Sequence, residues 1–266
     1  MRITYRRADN KEYWTKRWGD IPADLPMENA NVYPLKYAQE TVRSKNGVIL
    51  EAGCGAGRIL RYYHDRGYNI IGIDFIQGAI TKLKKIDPTL KVEVGDITDM
   101  QFKDGAFKYI LAFGLYHNLD GDNLEKAMRE TSRVTEKGGE ICASFRADNI
   151  QNRLNDWLEA HRSGHKKDDA KDKKFHKMNL TKSEFRKLFE KHGFKIKKVH
   201  TVVNMPLLYK FAFFRARDHK VFNENKARKE GYQLSFLGKL ITSFLLKFFP
   251  NQFCNIYVLI AEKPKH

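Results

Sequence analysis

The sequence predicts an α/β fold, a parallel sheet with helices on both faces, on three observations. From about residue 48 onward, short apolar segments alternate with helical segments in a β-α-β-α order, which is typical of parallel sheets. The apolar segments are rich in Val, Ile and Leu, as are strands that are buried on both faces. Turn residues, mostly glycine, bound these segments.

Five parallel strands with intervening helices are expected between residues 48 and 145. The strands cover residues 48–51, 70–74, 91–94, 109–113 and 140–145. The helices cover residues 58–66, 77–86 and 123–135. This spacing suits right-handed crossovers between neighbouring parallel strands.

A further helix and two strands are expected in the second half. The helix covers residues 181–192, because Thr181 and Glu184 have the spacing of a capping box and Gly193 can end it. The two strands cover 195–203 and 255–262.

Two long segments separate these elements and are interpreted as inserts. Residues 147–180 are strongly charged, and we expect a mobile loop at 165–174. Residues 204–253 are rich in aromatic and basic side chains, and the separation of the two last strands is far longer than a hairpin loop. The chain of 266 residues is therefore expected to be a single decorated domain over 1–266.

The positive charge is concentrated in the second part of the chain. The whole chain holds 49 basic and 32 acidic residues, whereas residues 161–266 hold 25 basic and 9 acidic ones. We expect this part to face an anionic membrane surface, phosphate or nucleic acid, unless the lysines form a solvated surface.

The cysteine content indicates a reducing compartment. The three cysteines, Cys54, Cys142 and Cys254, lack a C-x-x-C spacing, so neither a disulfide framework nor a zinc site is expected. The N-terminal residues lack the apolar core of a secretory signal, and no apolar run is long enough to span a bilayer. A cytoplasmic location is therefore expected.

A glycine-rich turn carries the chemistry. Gly53, Gly55 and Gly57 follow the first predicted strand and precede a helix, where they let a ligand approach the backbone and the unpaired N–H groups of the helix. The dinucleotide fingerprint G-x-G-x-x-G needs a third glycine at position 58, which is Arg58. The spacing therefore disfavours a dehydrogenase.

Glu51 precedes this turn, and together they resemble the first motif of the class I S-adenosylmethionine (SAM) dependent methyltransferases, acidic-x-G-x-G-x-G. Further elements follow in the order of that family: Ile70-Ile-Gly-Ile-Asp74, Gly95-Asp96-Ile97, Phe107 to His117, and Arg133-Val-Thr-Glu-Lys-Gly-Gly139. The resemblance is close over about residues 40–145 and looser over 181–203 and 254–263. It implies a Rossmann-like seven-stranded sheet, SAM as cofactor and S-adenosylhomocysteine as product.

The resemblance also implies roles for individual residues. In this family the acid at the position of Asp74 binds both ribose hydroxyls, the next two residues flank adenine, and the acid at the position of Asp96 contacts the adenine amino group. An acid at the position of Glu51 suits the cationic sulfonium and amino groups of SAM. The implied cofactor-binding residues are Glu51, Gly53, Cys54, Gly55, Gly57, Asp74, Phe75, Ile76, Asp96, Ile97, Phe113 and Trp18.

His117 and Tyr116 are the candidate catalytic residues. His117 lies just past the fourth predicted strand and its imidazole titrates near neutral pH, so it is the better candidate base, although a histidine in this loop also serves for packing. Tyr116 is the second candidate, with a wall of the pocket as its alternative role. No metal is expected, because no pair of acids follows that strand as magnesium-dependent catechol enzymes require.

Residues 1–40 resemble the N-terminal lid of small-molecule methyltransferases. Glu12 to Trp18 have the pattern of an amphipathic helix whose Tyr13, Trp14 and Trp18 either cover SAM and exclude water or form ordinary core.

Missing motifs disfavour several classes of acceptor. Residues 112–115 lack the N/D-P-P-Y/F tetrad typical of enzymes that methylate amines of DNA bases, and no cysteine follows a proline as carbon-5 methylation of cytosine needs. We expect methyl transfer to an O, N or C atom of a small molecule. The oligomeric state is left open.

The apolar helical segment at 234–249 allows two interpretations. It either packs on the sheet, which we expect for the helix itself, or lies on a membrane interface, which would make the protein a peripheral enzyme for a hydrophobic or lipid-linked acceptor.

Two alternatives to a small-molecule methyltransferase remain for the function of the chain. One is an RNA methyltransferase or RNA-binding module that uses the basic half, and the other is a non-catalytic scaffold with the SAM fold.

Overall fold

The computed structural model describes residues 1–6, 9–20, 25–162 and 173–265, and its centre is a mostly parallel sheet. The strands of the described chain are β1 (Arg2–Arg6), β2 (Ile49–Ala52), β3 (Ile70–Asp74), β4 (Val92–Val94), β5 (Phe107–Ala112), β6 (Thr135–Arg146), β7 (Lys174–Asn179), β8 (Lys195–Val202) and β9 (Ile256–Glu262). The helices are α1 (Asn10–Asp20), α2 (Leu35–Thr41), α3 (Arg58–His64), α4 (Gln77–Ile86), α5 (Gly121–Val134), α6 (Ile150–Arg162), α7 (Lys182–Lys191), α8 (Glu224–Glu230), α9 (Phe236–Phe248) and α10 (Pro250–Phe253).

Seven strands pair in the order β4-β3-β2-β5-β6-β9-β8. The five strands β2 to β6 run parallel, and β9 enters antiparallel between β6 and β8. The predicted Rossmann-like seven-stranded sheet is therefore confirmed. The order of strands changes direction between β2 and β5, and such a switch point is where open α/β sheets bind ligands.

Helices cover both faces of the sheet because neighbouring strand residues point to opposite faces. In β2, Ile49 packs with the apolar side chains of α2, α3 and α4, whereas Leu50 packs with those of α5 and α7. All four residues of β2 are buried, which explains why the strand is a continuous apolar run in the sequence. The predicted capping box is present in α7, where Thr181 Oγ1 accepts from the Glu184 N–H at 3.3 Å.

A second sheet of two strands ties the N-terminus to the first insert. β1 pairs antiparallel with β7, with Arg2 opposite Asn179. The sequence predicts neither this sheet nor α6, because residues 147–180 have the composition of a charged insert. The loop expected at 165–174 lies mostly outside the described residues.

The second insert contains three short 3-10 turns followed by α8, α9 and α10. Its middle is held by the buried His219, which shares hydrogen bonds with Tyr209 Oη at 3.0 Å and Glu230 Oε2 at 3.2 Å. Asp218, His219 and Glu230 have the donor types of a metal site, but Lys226 Nζ lies 2.9 Å from Asp218 Oδ2 and supplies positive charge there. We therefore interpret this cluster as an ion-pair network that fixes the insert.

The helix expected to pack on the sheet leaves most of its apolar side chains in solvent. Gly238 is the only buried residue of α9, and Phe236 is 84% exposed. The packing interpretation is therefore wrong for this face of α9. No helix in the described part of the chain is both long and apolar enough to cross a bilayer.

Candidate cofactor site

The glycine turn lies at the carboxyl end of β2, directly before α3. Gly53, Gly55 and Gly57 all have positive φ, at 73°, 50° and 67°, a region that costs other residues free energy. The turn also folds back on β3, because the Gly53 N–H donates to the Ile73 carbonyl at 2.8 Å. The three glycines are therefore required by the backbone path itself.

Asp74 links this turn to the end of β3. Its Oδ2 accepts from the Gly55 N–H at 2.8 Å and its Oδ1 from the Ile76 N–H at 2.9 Å. Burial raises the pKa of the Asp74 carboxyl, while the two backbone N–H donors oppose the rise. Two carboxylate oxygens offer about four lone pairs, so Asp74 can accept further hydrogen bonds from a ligand.

A cavity of about 440 Å³ opens beside the turn. Its volume falls within the usual range for small-molecule sites, about 300–1,000 Å³. Ten of the twelve residues predicted to bind cofactor line it: Glu51, Gly53, Cys54, Asp74, Phe75, Ile76, Asp96, Ile97, Phe113 and Trp18. Gly55 and Gly57 are not among the lining residues, and their positive φ angles shape the turn.

Glu51 is a buried acid inside this cavity. Burial, with a smaller contribution from Asp74, raises the pKa of its carboxyl to about 8, while a hydrogen bond from the Leu60 backbone and the charge of Arg58 oppose the rise. Its Oε2 is buried and has no hydrogen-bond partner among the described residues. An unsatisfied buried carboxylate oxygen costs free energy, so a cationic or hydrogen-bond-donating ligand group fits this place.

Glu51 is expected to make stability fall with rising pH. Its pKa is raised from 4.5 to about 8 by folding, so between these values the folded protein holds a proton that the unfolded chain has lost. The contribution of Glu51 to the free energy of unfolding of the ligand-free protein should therefore decrease as pH rises through this window. Urea unfolding at a series of pH values should show that Glu51→Gln flattens this dependence.

Glu28→Gln is the matched control, because Glu28 is exposed and lies outside the cavity lining. It should leave the pH dependence as in the unmodified protein. An unaltered pH profile in Glu51→Gln would contradict the raised pKa.

Helix α1 covers the cavity. Trp14 and Trp18 line it and stack with ring centroids 5.5 Å apart, and a Cβ at Gly55 would lie 2.7 Å from Trp18 Cη2. At one end of α1, Asn10 Nδ2 donates to the Asn118 carbonyl at 2.7 Å, and at the other, Lys82 Nζ donates to the Trp18 carbonyl at 2.9 Å. Tyr13 lies outside the lining, below the Arg6 guanidinium.

Several lining residues are missing from the sequence predictions. They are Asn10, Lys11, Met27, Pro34, Ala56, Arg58, Ile59, Ile73, Gly95, Thr98, Gly114, Leu115, Asn118, Leu119 and Asn123. Asn118 and Leu119 follow β5 in the same loop as His117, and this position after a strand end could have indicated that they line the cavity. Asn10 reaches the cavity through tertiary packing, for which the sequence carries no local signal.

The two candidate catalytic side chains do not line the cavity. Tyr116 is fully buried in the core, where its hydroxyl lies 2.8 Å from Thr131 Oγ1. The His117 ring packs edge-on against Phe145, and its Nδ1 is buried without a partner among the described residues. Burial, and then the charges of Arg146 and Lys177, hold the pKa of His117 well below its usual value. A base role for His117 therefore stays a prediction.

The fold and the cavity define a class of protein, Rossmann-like α/β proteins with a ligand site at the carboxyl edge of the sheet. Residues 50–143 match a family described as a methyltransferase domain. This match agrees with the predicted superfamily and with SAM as the cofactor.

Curated relatives match only part of their length. The demethylmenaquinone methyltransferase of Renibacterium salmoninarum is 31% identical over 97 residues, which cover 36% of this chain and 40% of the relative. The malonyl-[acyl-carrier protein] O-methyltransferase of Pectobacterium atrosepticum is 28% identical over 103 residues, which cover 38% and 39%. The chain therefore spans about two fifths of the length of such relatives.

Solved structures share the fold over most of the chain. A SAM-dependent methyltransferase from Methanosarcina mazei superposes with a TM-score of 0.58 at 17% identity, covering 88% of this chain and 99% of that one. The [4+2]-cyclase SpnF superposes with a TM-score of 0.57 at 14% identity, covering 97% and 98%. At these identities the likeness concerns the fold alone.

Proposed function

We propose that the protein transfers the methyl group of SAM to an O, N or C atom of a small-molecule acceptor. The observation that carries this proposal is the cavity at the glycine turn, where Asp74 and Asp96 stand at neighbouring strand ends and a buried Glu51 oxygen has no partner among the described residues. These are the positions at which an adenosyl sulfonium needs acceptors.

The proposed roles follow from these positions. Asp74 accepts hydrogen bonds from the ribose hydroxyls, Asp96 accepts from the adenine amino group, and Phe75 and Ile76 flank the adenine. Glu51 faces the cationic groups of the donor. When bound, the sulfonium supplies a methyl group already activated for displacement, so the chain needs chiefly to orient the acceptor and exclude water. Trp18 on α1 contributes to that exclusion.

We further propose that the acceptor is hydrophobic or lipid-linked. The lining includes the aromatic and aliphatic side chains of Trp14, Phe113, Leu115 and Leu119. Demethylmenaquinone methyltransferases are among the relatives, and their names denote a hydrophobic acceptor. We also propose that the protein works in the cytoplasm, on the inner face of a membrane. All three of its cysteines are free, which suits a reducing compartment.

The test combines calorimetry with label transfer. Titration of the protein with SAM and with S-adenosylhomocysteine should release or absorb heat with one site per chain. Radiolabelled SAM should then mark a compound in the lipid or small-molecule extract of the source cell. The absence of binding for both donor and product would overturn the proposal.

Two other functions are outcomes of the same experiment. Incorporation of label that ribonuclease removes would favour RNA, for which the 25 basic against 9 acidic residues of 161–266 are the supporting observation. Donor binding without transfer to any extract would favour a scaffold. A [4+2]-cyclase shares this fold, so the fold does not itself determine the chemistry.

A further inference from the structure

The largest group of exposed apolar side chains on one described helix is on α9. We call it the α9 face, and it consists of Phe236, Leu237, Leu240, Phe244 and Phe248. Each of them is between 44% and 84% exposed. Monomeric proteins rarely leave so many large apolar side chains together in water, and such patches mark interaction surfaces.

Both charged residues of α9 are positive. Lys239 and Lys247 are exposed on the same side of the helix, and α9 contains no acidic residue. With 3.6 residues per turn, Phe236, Leu240 and Phe244 form a continuous apolar stripe, which Lys239 borders on one side and Lys247 follows at the C-terminal end of the helix. An apolar stripe with flanking lysines is typical of helices that lie in a membrane interface.

The α9 face is fixed to the rest of the protein. A Cβ at Gly238 would lie only 2.8 Å from the Phe214 carbonyl oxygen, so this glycine permits close approach of α9 to residues 212–214. The Ser235 N–H donates to the same carbonyl at 2.8 Å. These contacts bring Phe213, which is 70% exposed, next to α9, and Lys220 Nζ lies 5.9 Å from its ring.

Charge decides between a membrane and a second copy of the chain as the partner. A twofold interface would bring the α9 faces of two protomers together and oppose their lysines at close range, at a cost in free energy. An anionic bilayer instead attracts the lysines and takes up the aromatic side chains. The same attraction extends to the basic excess of residues 161–266.

We propose that the α9 face, together with Phe213, docks on the surface of an anionic bilayer. Phe236, Leu240 and Phe244 enter the boundary between headgroups and acyl chains, while Lys239 and Lys247 contact anionic headgroups. The purpose of this docking, access to a hydrophobic acceptor, rests on the proposed function, whereas the binding itself does not.

Vesicle co-sedimentation of the full chain tests the proposal. The probes are vesicles of phosphatidylcholine alone and vesicles that also contain phosphatidylglycerol, at low salt. Binding should be strong only to the anionic vesicles and should weaken at about 1 M salt, where the Debye length is about 3 Å. The double variant Lys239→Glu/Lys247→Glu should lower the partition coefficient at least about 10-fold, since each surface charge contributes measurably.

A matched control exists on α4. Lys84 and Lys85 are also exposed helical lysines, and Lys84→Glu/Lys85→Glu makes the same change in net charge. It should leave binding within about two-fold of the unmodified protein if the site is specific. An equal loss of vesicle binding in both double variants would mean that only the net charge of the protein matters, and would overturn the proposal.

The apolar side chains need a separate variant. Phe236→Ser/Phe244→Ser should remove binding, and Ile86→Ser, which changes an exposed apolar residue on α4, should not. Unchanged binding in Phe236→Ser/Phe244→Ser, or a dimer in sedimentation that this variant dissociates, would contradict the bilayer as partner. The vesicle assay contains no SAM, so the two proposals can fail separately. Vesicle binding by a protein that does not bind SAM would refute the proposed function and leave this inference standing. SAM binding by a protein that does not bind vesicles would refute this inference and leave the proposed function standing.

Discussion

Gly55→Ala is expected to abolish SAM binding, with a loss of affinity of at least about 100-fold. The residue has φ +50°, a left-handed conformation that costs other residues roughly 1–2 kcal/mol. The added Cβ would also overlap the Trp18 ring, so α1 would have to move off the cavity. Backbone strain and displacement of α1 from the cavity therefore both arise at Gly55. Isothermal titration with SAM measures the effect.

Gly67→Ala is the control that separates these two causes. Gly67 has φ +72°, so alanine meets the same backbone cost there, but the nearest atom to the new Cβ is Lys45 Nζ at 3.7 Å. This variant should lose a similar free energy of unfolding and keep its affinity for SAM. If Gly55→Ala bound SAM as well as Gly67→Ala, the role of the glycine turn would be refuted.

Asp74→Asn is expected to weaken SAM binding by at least about 30-fold. The carboxylate accepts from the Gly55 and Ile76 N–H groups, one on each oxygen. An amide has one accepting oxygen, so its NH₂ group would face one of these N–H donors. Hydrogen bonds to a charged group contribute about 1.5–3 kcal/mol each, and the proposed bonds to ribose would be lost with the charge.

Asp65→Asn makes the same chemical change at the end of α3, where the side chain is exposed. It should leave SAM affinity unaltered. Circular dichroism and thermal unfolding of Asp74→Asn show whether the fold survives, so that a loss of binding can be assigned to the site. Undiminished affinity in a folded Asp74→Asn would remove the ribose role.

The central sheet and the cofactor side of the cavity are predictable from the sequence alone. Strands such as β2 are buried on both faces, so their apolar runs are long enough to recognise, and Gly53 to Gly57 must contain glycine at alternate positions for the turn to form. Because the carboxyl ends of parallel strands meet at one edge, the positions of Glu51 and Asp74 at their strand ends already indicate that the two acids lie together.

Pairings between distant segments are not predictable in this way. β1 and β7 carry mixed polar and charged residues without a clear alternation, and their partners lie more than a hundred residues apart. Asn10 reaches the cavity only because α1 is placed by such contacts. The pattern of α9 gives its apolar face, but periodicity carries no information on whether another element covers that face.

Both ends of α1 are fastened to the sheet-bearing part of the chain, by Asn10 to Asn118 and by Lys82 to Trp18. The stacked indoles of Trp14 and Trp18 are therefore held beside the cavity by contacts within the chain. Under the proposed function, a movement of α1 that admits or releases the donor would first have to break these two hydrogen bonds.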